Sequence, residues 1–396
     1  MASFKDFYQW ANATRVVAGR GLLESAGFEF AKEGARRVLV VTDPGVRAAG
    51  IVERVQAGLA DGGLETAAVF DAVPQDSDTE VVERVAERAR EEGADSFLAV
   101  GGGSVMDTAK AANVLFTHGG RVRDWEGFFA LPREEDGEGP PLPMAPLACV
   151  PTTAGTGSEV SFAAVVKDAG EGIKVEVADF ALFPRLAVLD PESTRSLPAA
   201  LAAATGMDAL THAVEGYVSS EWSPHGDAFA LHALRLIREH LERAVEEPDD
   251  EDARGNMLVA ASLAIVPTGS GAIGLSHSMA HACGGRHGVA HGVANAIALP
   301  HVVEWNAGAG PEVLARYGDV AEVLRVPANG DAGAALAAHL GALRDRLGLP
   351  GTLSEVGVPA DDLPALAETA MGDGCTLVNP REPSREDLEE LFRRAL

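Results

Sequence analysis

The first half of the chain alternates short apolar runs with amphipathic segments. Residues 37–43 and 96–100 form continuous apolar runs, which is typical of strands covered on both faces. Residues 78–92 instead place apolar side chains at helical spacing, with charged residues between them. Further strand-like runs cover 14–19, 65–70, 162–166 and 186–190. The alternation predicts an α/β domain, a parallel sheet with helices on its faces.

The second half has a different pattern, because no convincing strand follows Leu197. Alanine-rich amphipathic segments with short connections predict a helical domain there. The predicted helices cover 198–219, 224–247, 252–266, 273–283, 291–305, 311–324, 332–347, 361–371 and 384–395. The sequence therefore predicts an amino-terminal α/β domain over 1–197 and an all-α carboxyl-terminal domain over 198–396.

Composition narrows the class of protein. A net charge of −27 over 396 residues disfavours nucleic acid and anionic membranes as partners, because polyanions would be repelled. The three cysteines lie far apart, so neither a disulfide framework nor a cysteine-based zinc motif is expected. No signal-peptide pattern and no long apolar run occur, and we expect a cytoplasmic protein.

A glycine-rich junction follows the strand predicted at 96–100. Residues 101–104 read Gly-Gly-Gly-Ser and open a helix, so backbone N–H groups and a positive helix end are available to a pyrophosphate. A tight strand–helix turn explains the same residues equally well. Asp43, after an earlier strand, is suited to binding a ribose and repelling a 2′-phosphate, although a turn or helix-cap role is also common there. Thr152 and Thr153 add hydroxyl donors in a second Gly/Ser/Thr-rich loop.

Histidines concentrate in one stretch of the second half. Residues 271–297 hold four of the eleven histidines, and His277 and His281 are spaced to share one helix face. Asp208 and His212 repeat this spacing upstream, and His291 follows a glycine-rich break. Imidazoles with a carboxylate form the ligand set of a divalent transition metal. The alternative is a set of helix histidines that are satisfied by neighbouring side chains or solvent.

Several motifs together resemble the iron-containing (group III) alcohol dehydrogenases, within the wider dehydroquinate synthase-like superfamily. They occur in the expected order over nearly the whole chain. The motifs are Gly101-Gly-Gly-Ser-Val-Met-Asp-Thr-Ala-Lys110, Pro151-Thr-Thr-Ala-Gly-Thr-Gly-Ser-Glu159, Leu189-Asp-Pro, Ala204-Thr-Gly-Met-Asp-Ala-Leu-Thr-His-Ala-Val-Glu215, the run of His277, His281 and His291, and Asn379-Pro-Arg381.

The resemblance implies a role for individual residues of this sequence. It implies a divalent metal, iron or zinc, held by Asp208, His212, His277 and His291. It implies that His281 is a non-ligand histidine facing the nicotinamide and the substrate. The residues that it implies for NAD binding are Asp43, Gly102, Gly103, Ser104, Asp107, Thr152, Thr153 and Lys174. It further implies a small-molecule alcohol or aldehyde as substrate and a homodimer or larger homo-oligomer.

Two other activities of that superfamily stay open at this point. A lyase or cyclase of the dehydroquinate synthase kind would use NAD only transiently, but no cluster of Lys and Arg near the histidines offers a clamp for a phosphorylated acid. A metal-free reductase of an acidic substrate, such as the maleylacetate reductases, would not need the complete Asp/His set. The chain also departs from the family pattern at Thr268 and has an additional histidine, His287, so substrate identity stays open.

Overall fold

The structure, a computed structural model, describes residues 7–133, 142–171, 173–267, 273–327 and 330–396. Thr268 lies outside these ranges. The chain divides into two compact units. The sheet unit contains residues 12–153 and 157–197, and the helical unit contains residues 198–396 together with residues 7–11 and 154–156. The assignment of dinucleotide binding to residues 1–197 and of metal and substrate binding to residues 198–396 stays a prediction.

The sheet unit contains nine strands and five α-helices among its described residues. The strands are β1 Arg15–Ala18, β2 Arg37–Thr42, β3 Glu65–Phe70, β4 Ser96–Gly101, β5 Gly127–Phe128, β6 Leu147–Pro151, β7 Ala163–Asp168, β8 Ile173–Ala178 and β9 Leu186–Leu189. The helices are α1 Ala26–Ala31, α2 Pro44–Ala48, α3 Ile51–Asp61, α4 Thr79–Glu91 and α5 Gly103–His118.

Six strands form a parallel sheet in the order β1-β9-β6-β4-β2-β3. The continuous apolar runs follow from its two covered faces. In β2, Leu39 and Val41 enter one buried cluster, while Val38 and Val40 enter another on the opposite face. Strands β5, β8 and β7 form a second, smaller sheet, in which β7 and β8 run antiparallel.

The helical unit contains nine α-helices among its described residues. They are α6 Ala199–Val218, α7 Pro224–Glu246, α8 Glu251–Ile265, α9 Leu275–His287, α10 His291–Asn306, α11 Pro311–Val323, α12 Ala332–Arg346, α13 Leu363–Met371 and α14 Arg385–Ala395. Helix α10 is buried on two sides. Ala296 and Leu299 join the cluster around α6, and Ile297 and Val302 join the cluster around α9, α13 and α14.

The predicted fold class is confirmed: a parallel sheet with helices precedes an all-helical part. The sequence pattern missed strands β5, β6 and β8 and helices α1, α2 and α3, and it ended α9 four residues too early. Strand β8 is not a continuous apolar run: its apolar and polar residues alternate, with Val175 and Val177 buried and Lys174 and Glu176 partly exposed. No helix in the described ranges has the length and apolarity to cross a membrane.

Candidate active site

Three helices of the helical unit carry the histidine centre. Asp208 and His212 lie one turn apart on α6, His277 and His281 lie one turn apart on α9, and His291 is the first residue of α10. Gly292 allows this approach, because a Cβ there would lie 2.3 Å from the carbonyl oxygen of Ala204 on α6. Because glycine has no side chain, the start of α10 can pack directly against the backbone of α6.

Asp208, His277 and His291 converge. The Oδ1 atom of Asp208 lies 3.7 Å from Nε2 of His277 and 3.4 Å from Nε2 of His291. One ligand atom from each of the three lies within 4.8 Å of the others. His212 lies beside this group, with its ring centroid 4.5 Å from that of His277 and its Nδ1 4.0 Å from Oδ2 of Asp208, but it is not a member of the convergent group.

The electrostatics of this centre favour a positive charge. Burial raises the pKa of Asp208, but His212, His291 and His277 outweigh burial and hold that pKa well below its usual range. Burial lowers the pKa of His277, but the carboxylates of Asp208 and Glu215 outweigh burial and bring that pKa to about 9. His277 likewise outweighs burial and lowers the pKa of Glu215, so both carboxylates are ionised inside a buried pocket, where a cation would balance them.

Two buried nitrogen atoms fit a bound metal. Nε2 of His277 and Nδ1 of His212 have no hydrogen-bond partner among the described residues. Buried polar atoms are rarely left in this state, and such an atom calls for an explanation such as an ion. Imidazole nitrogen and carboxylate oxygen are suitable ligands for iron and zinc. The donor set therefore matches the predicted metal site.

Glu215 and Asn295 are site residues to which the sequence pattern assigned no role. Glu215 lies on α6 and accepts a 2.6 Å hydrogen bond from Nδ1 of His277, as well as bonds from the N–H groups of Gly274 and Ser276. Asn295, one turn after His291, donates to Oδ1 of Asp208 at 2.8 Å. The sequence did contain a signal for both residues, because Glu215 lies one helical turn after His212 and Asn295 lies one turn after His291.

The other two histidines of α9 have different surroundings. The His281 ring stacks on that of His291, with centroids 5.3 Å apart, and its Nδ1 lies 2.8 Å from Oδ2 of Asp373. Nε2 of His287 lies 2.6 Å from Oδ2 of Asp362, and His287 belongs to no metal-ligand group among the described residues. The structure thus places His281, but not His287, against the convergent group.

The residues predicted to bind NAD lie in the sheet unit, several of them at one edge of the parallel sheet. Asp43 follows β2, residues 101–104 span the end of β4 and the start of α5, and Thr152 and Thr153 follow β6. These three strands are neighbours, and their carboxyl ends are in register. Strand β3 pairs with one side of β2, and the next strand in the chain, β4, pairs with the other side. The strand order therefore reverses beside β2, and ligands of open α/β sheets bind at such a switch point.

Individual residues at this edge already have protein partners. Oδ1 of Asp43 caps α2 by accepting from the N–H groups of Gly45 and Val46, which is the alternative that its position suggested. Lys174 lies 3.7 Å from Asp76, whose N–H donates to the Ser104 hydroxyl.

Asp107 is oriented into the protein. Its oxygens accept from the Ser158 hydroxyl at 2.6 Å and from the Val165 N–H at 3.0 Å. These bonds explain the orientation of the Asp107 side chain without a cofactor. A role of Asp107 in cofactor binding stays a prediction.

Two family models match this chain, one in each half. The family model described as iron-containing alcohol dehydrogenase matches residues 13–191, and its carboxyl-terminal counterpart, the Fe-containing alcohol dehydrogenase family, matches residues 202–396. The chain belongs to the iron-containing alcohol dehydrogenase family. It is therefore an enzyme, an oxidoreductase. The two matches cover both the sheet edge and the histidine centre.

Relatives of this alcohol dehydrogenase match it over nearly their full length. An NAD-dependent methanol dehydrogenase of Bacillus methanolicus is 36% identical over 96% of this chain and 97% of its own. A 1,3-propanediol oxidoreductase structure superimposes with a TM-score of 0.92 at 33% identity, covering 98% of this chain and all of the other. A sulfoacetaldehyde reductase of Bifidobacterium kashiwanohense, solved with NAD+, has a TM-score of 0.86 at 27% identity and 99% coverage of both chains. The lyase and the metal-free reductase are not favoured by these relatives.

Proposed function

We propose that this enzyme interconverts a primary or secondary alcohol and its aldehyde or ketone, with NAD(H) as redox cofactor and a divalent metal in the histidine centre. The observation that carries the proposal is the convergence of Asp208, His277 and His291 on one buried point, with Nε2 of His277 unpartnered there. The NAD-dependent methanol dehydrogenase and the reductase solved with NAD+ support the choice of cofactor.

The metal ligands of the proposal are Asp208, His212, His277 and His291, with iron as the first choice and zinc as the alternative. When bound, the metal supplies a Lewis acid that lowers the pKa of an alcohol, and NAD supplies the hydride acceptor. The chain orients the ligands for this task. Glu215 fixes the proton of His277 on Nδ1 and leaves Nε2 for coordination, as outer carboxylates do for metal-bound histidines. Asn295 donates to Oδ1 of Asp208 and so restricts the orientation of that carboxylate.

His281 is the proposed proton carrier. Its ring lies against His291, and its side chain keeps 18% of its surface exposed, so it contacts both the centre and solvent. Imidazole is the side chain that enzymes use most often as a general acid or base. Oxidation of an alcohol releases one proton, and in this proposal His281 accepts it.

The proposed NAD site uses the sheet edge. The backbone N–H groups at the start of α5, at Gly102, Gly103 and Ser104, would bind the pyrophosphate, because a helix amino terminus attracts anions. Oδ2 of Asp43 is left for a ribose hydroxyl. Thr152, Thr153, Lys174 and Asp107 complete the proposed set.

The test begins with protein purified without oxygen. Metal analysis should find iron bound to the isolated enzyme, and a screen of aldehydes should show NADH oxidation that chelation abolishes and added Fe²⁺ restores. Active protein without metal would favour the metal-free reductase. Conversion of a substrate without net NADH turnover would favour the lyase.

We also propose a homodimer or larger homo-oligomer in the cytoplasm. Strand β1 is an edge strand, and Val16 on it is 44% exposed, a combination that favours covering by a second chain. The three cysteines are unpaired, as expected in a reducing compartment. Light scattering on the purified enzyme would measure the oligomer, and a monomer at assay concentration would contradict it.

A further inference from the structure

Asp373 forms a carboxylate–histidine pair with His281. Its Oδ2 lies 2.8 Å from Nδ1 of His281, although the two residues are 92 positions apart in the chain. Both side chains are mostly buried, with 18% of His281 and 19% of Asp373 exposed. A hydrogen bond this short in a largely water-excluded position restricts the rotation of the imidazole ring.

The carboxylate itself is held by the chain. Asp373 caps the short 3-10 helix Gly374–Val378, because its Oδ1 accepts from the N–H of Cys375 at 2.9 Å. That turn is joined to α9 through Thr376, whose hydroxyl bonds the hydroxyl of Ser278 at 2.8 Å and the carbonyl oxygen of Ala370 at 2.7 Å. One oxygen of Asp373 is thus fixed to a backbone turn, and the other is directed at His281.

This arrangement decides which nitrogen of His281 carries the proton. Burial raises the pKa of Asp373, but His281 and Cys375 outweigh burial and keep the carboxyl ionised. An ionised carboxylate only accepts hydrogen bonds, so Nδ1 of His281 must be the donor. In the neutral imidazole, Nε2 is then the basic nitrogen.

We propose that Asp373 is a positioning residue that fixes the ring of His281 in the tautomer with a basic Nε2. The inference rests on the proposed function, in which His281 carries the proton of the alcohol. Asp373 acts only through His281 and touches neither substrate nor metal in this role. Its loss should therefore change turnover while leaving the metal centre and substrate binding nearly intact.

The same residues could be interpreted as a second metal site, since ligand atoms of His281, Asp373 and Cys375 lie within 4.8 Å of one another. The hydrogen bonds disfavour that interpretation. Both oxygens of Asp373 already accept bonds, one from Nδ1 of His281 and the other from the Cys375 N–H. A positioning role uses these bonds as they stand.

The test uses Asp373→Asn, alone and combined with His281→Ala, in the metal-loaded enzyme. The amide keeps an oxygen to cap the turn but presents an NH₂ group to His281, which favours the tautomer with the proton on Nε2. We expect kcat to fall about 10²-fold, within the range that a positioned acid–base group contributes, with KM for the alcohol and metal content within about twofold. In the His281→Ala background the same change should cost less than threefold, because the two residues act as a unit.

Asp362→Asn is the matched control. It makes the same change at the carboxylate that lies 2.6 Å from Nε2 of His287 on the same helix and also accepts from Arg286, and it should leave kcat within twofold of wild type. A fall in kcat of less than threefold for Asp373→Asn would overturn the proposal, as would an undiminished loss in the His281→Ala background. Loss of a bound metal ion from Asp373→Asn would assign the cluster to metal binding instead. Near-normal turnover of His281→Ala alone would contradict the proton-carrier role itself, so the two failures are distinguishable.

Discussion

Two buried polar clusters, one in each unit, differ in whether the protein alone supplies their hydrogen-bond partners. In the sheet unit, the fully buried ammonium group of Lys110 donates to the Ser158 and Ser161 hydroxyls and to the carbonyl oxygen of Ala163, at 2.8 to 2.9 Å. In the helical unit, Nε2 of His277 is equally buried but has no hydrogen-bond partner among the described residues. An ammonium group has three donors, so the protein alone satisfies Lys110.

The presence or absence of hydrogen-bond partners distinguishes a structural cluster from a ligand site. Burial and charge alone do not distinguish them, because both clusters are buried and ionisable. Burial lowers the pKa of Lys110, and Asp107, 3.9 Å away, opposes that shift. The centre around His277 has two ionised carboxylates and nitrogen atoms directed at one another, an arrangement that a cation stabilises. Unsatisfied, converging atoms therefore indicate a ligand, whereas a complete set of partners indicates a structural role.

The largest expected effect tests the unsatisfied cluster directly. His277→Ala and His291→Ala should each lose the bound metal and all measurable turnover, because each removes a converging ligand atom. His287→Ala is the control: it lies on the same helix as His277 but is bonded to Asp362, so it should keep stoichiometric metal. Metal content per chain after gel filtration distinguishes them. Equal metal loss from His287→Ala and His291→Ala would refute the ligand assignment.

His281 lies between the two extremes, since one of its nitrogens is bonded and the other is left for chemistry. His281→Ala should keep metal and fold but lose about 10²–10⁴-fold in turnover if it is a positioned proton carrier. The pH profile of alcohol oxidation should also lose the limb that depends on this group. Metal analysis and steady-state rates across pH provide the measurement. Full metal with near-normal rates would make His281 a structural histidine.

The sequence predicted what depends on local spacing. One-turn spacing placed Asp208 with His212 and His277 with His281, and the structure has these pairs on α6 and α9. Continuous apolar runs likewise located β2 and β4, because a two-face environment leaves that pattern. Both results need only the periodicity of one element.

Partners across the fold could not be predicted in this way. Glu215 is 62 positions from His277, and Asp373 is 92 positions from His281. Packing of separate helices decides such pairs, and no spacing within one segment records it. The cap formed by Asp43 is an intermediate case, since an Asp-Pro-Gly sequence allowed both a cap and a ligand role.

Lys110→Met tests the satisfied cluster. Methionine has a similar length but no donors, so Ser158, Ser161 and Asp107 would lose a buried cation. We expect the free energy of unfolding to fall by about 3–5 kcal/mol, the cost of removing one partner of a buried charged pair. Lys32→Met, at a lysine that is 62% exposed and bonded to Glu29, should change it by less than about 1 kcal/mol. Urea titrations of both variants would measure the difference, and equal small effects would contradict the structural role of Lys110.

Asp43 should give the smallest effect, because it is satisfied on one side only. Oδ1 caps α2, while Oδ2 bonds no described residue and is left to meet a ribose or repel a 2′-phosphate. Asp43→Gly should narrow the preference for NAD over NADP by about tenfold, equivalent to about 1.4 kcal/mol. Asp43→Asn separates the two roles, because asparagine caps a helix as well as aspartate but has no charge. If repulsion of the 2′-phosphate sets the preference, both variants should lower the ratio of kcat/KM with NAD to kcat/KM with NADP to a similar extent. A shift in the glycine variant alone would assign the effect to the lost cap, and a wild type that prefers NADP would show that Asp43 does not select the cofactor.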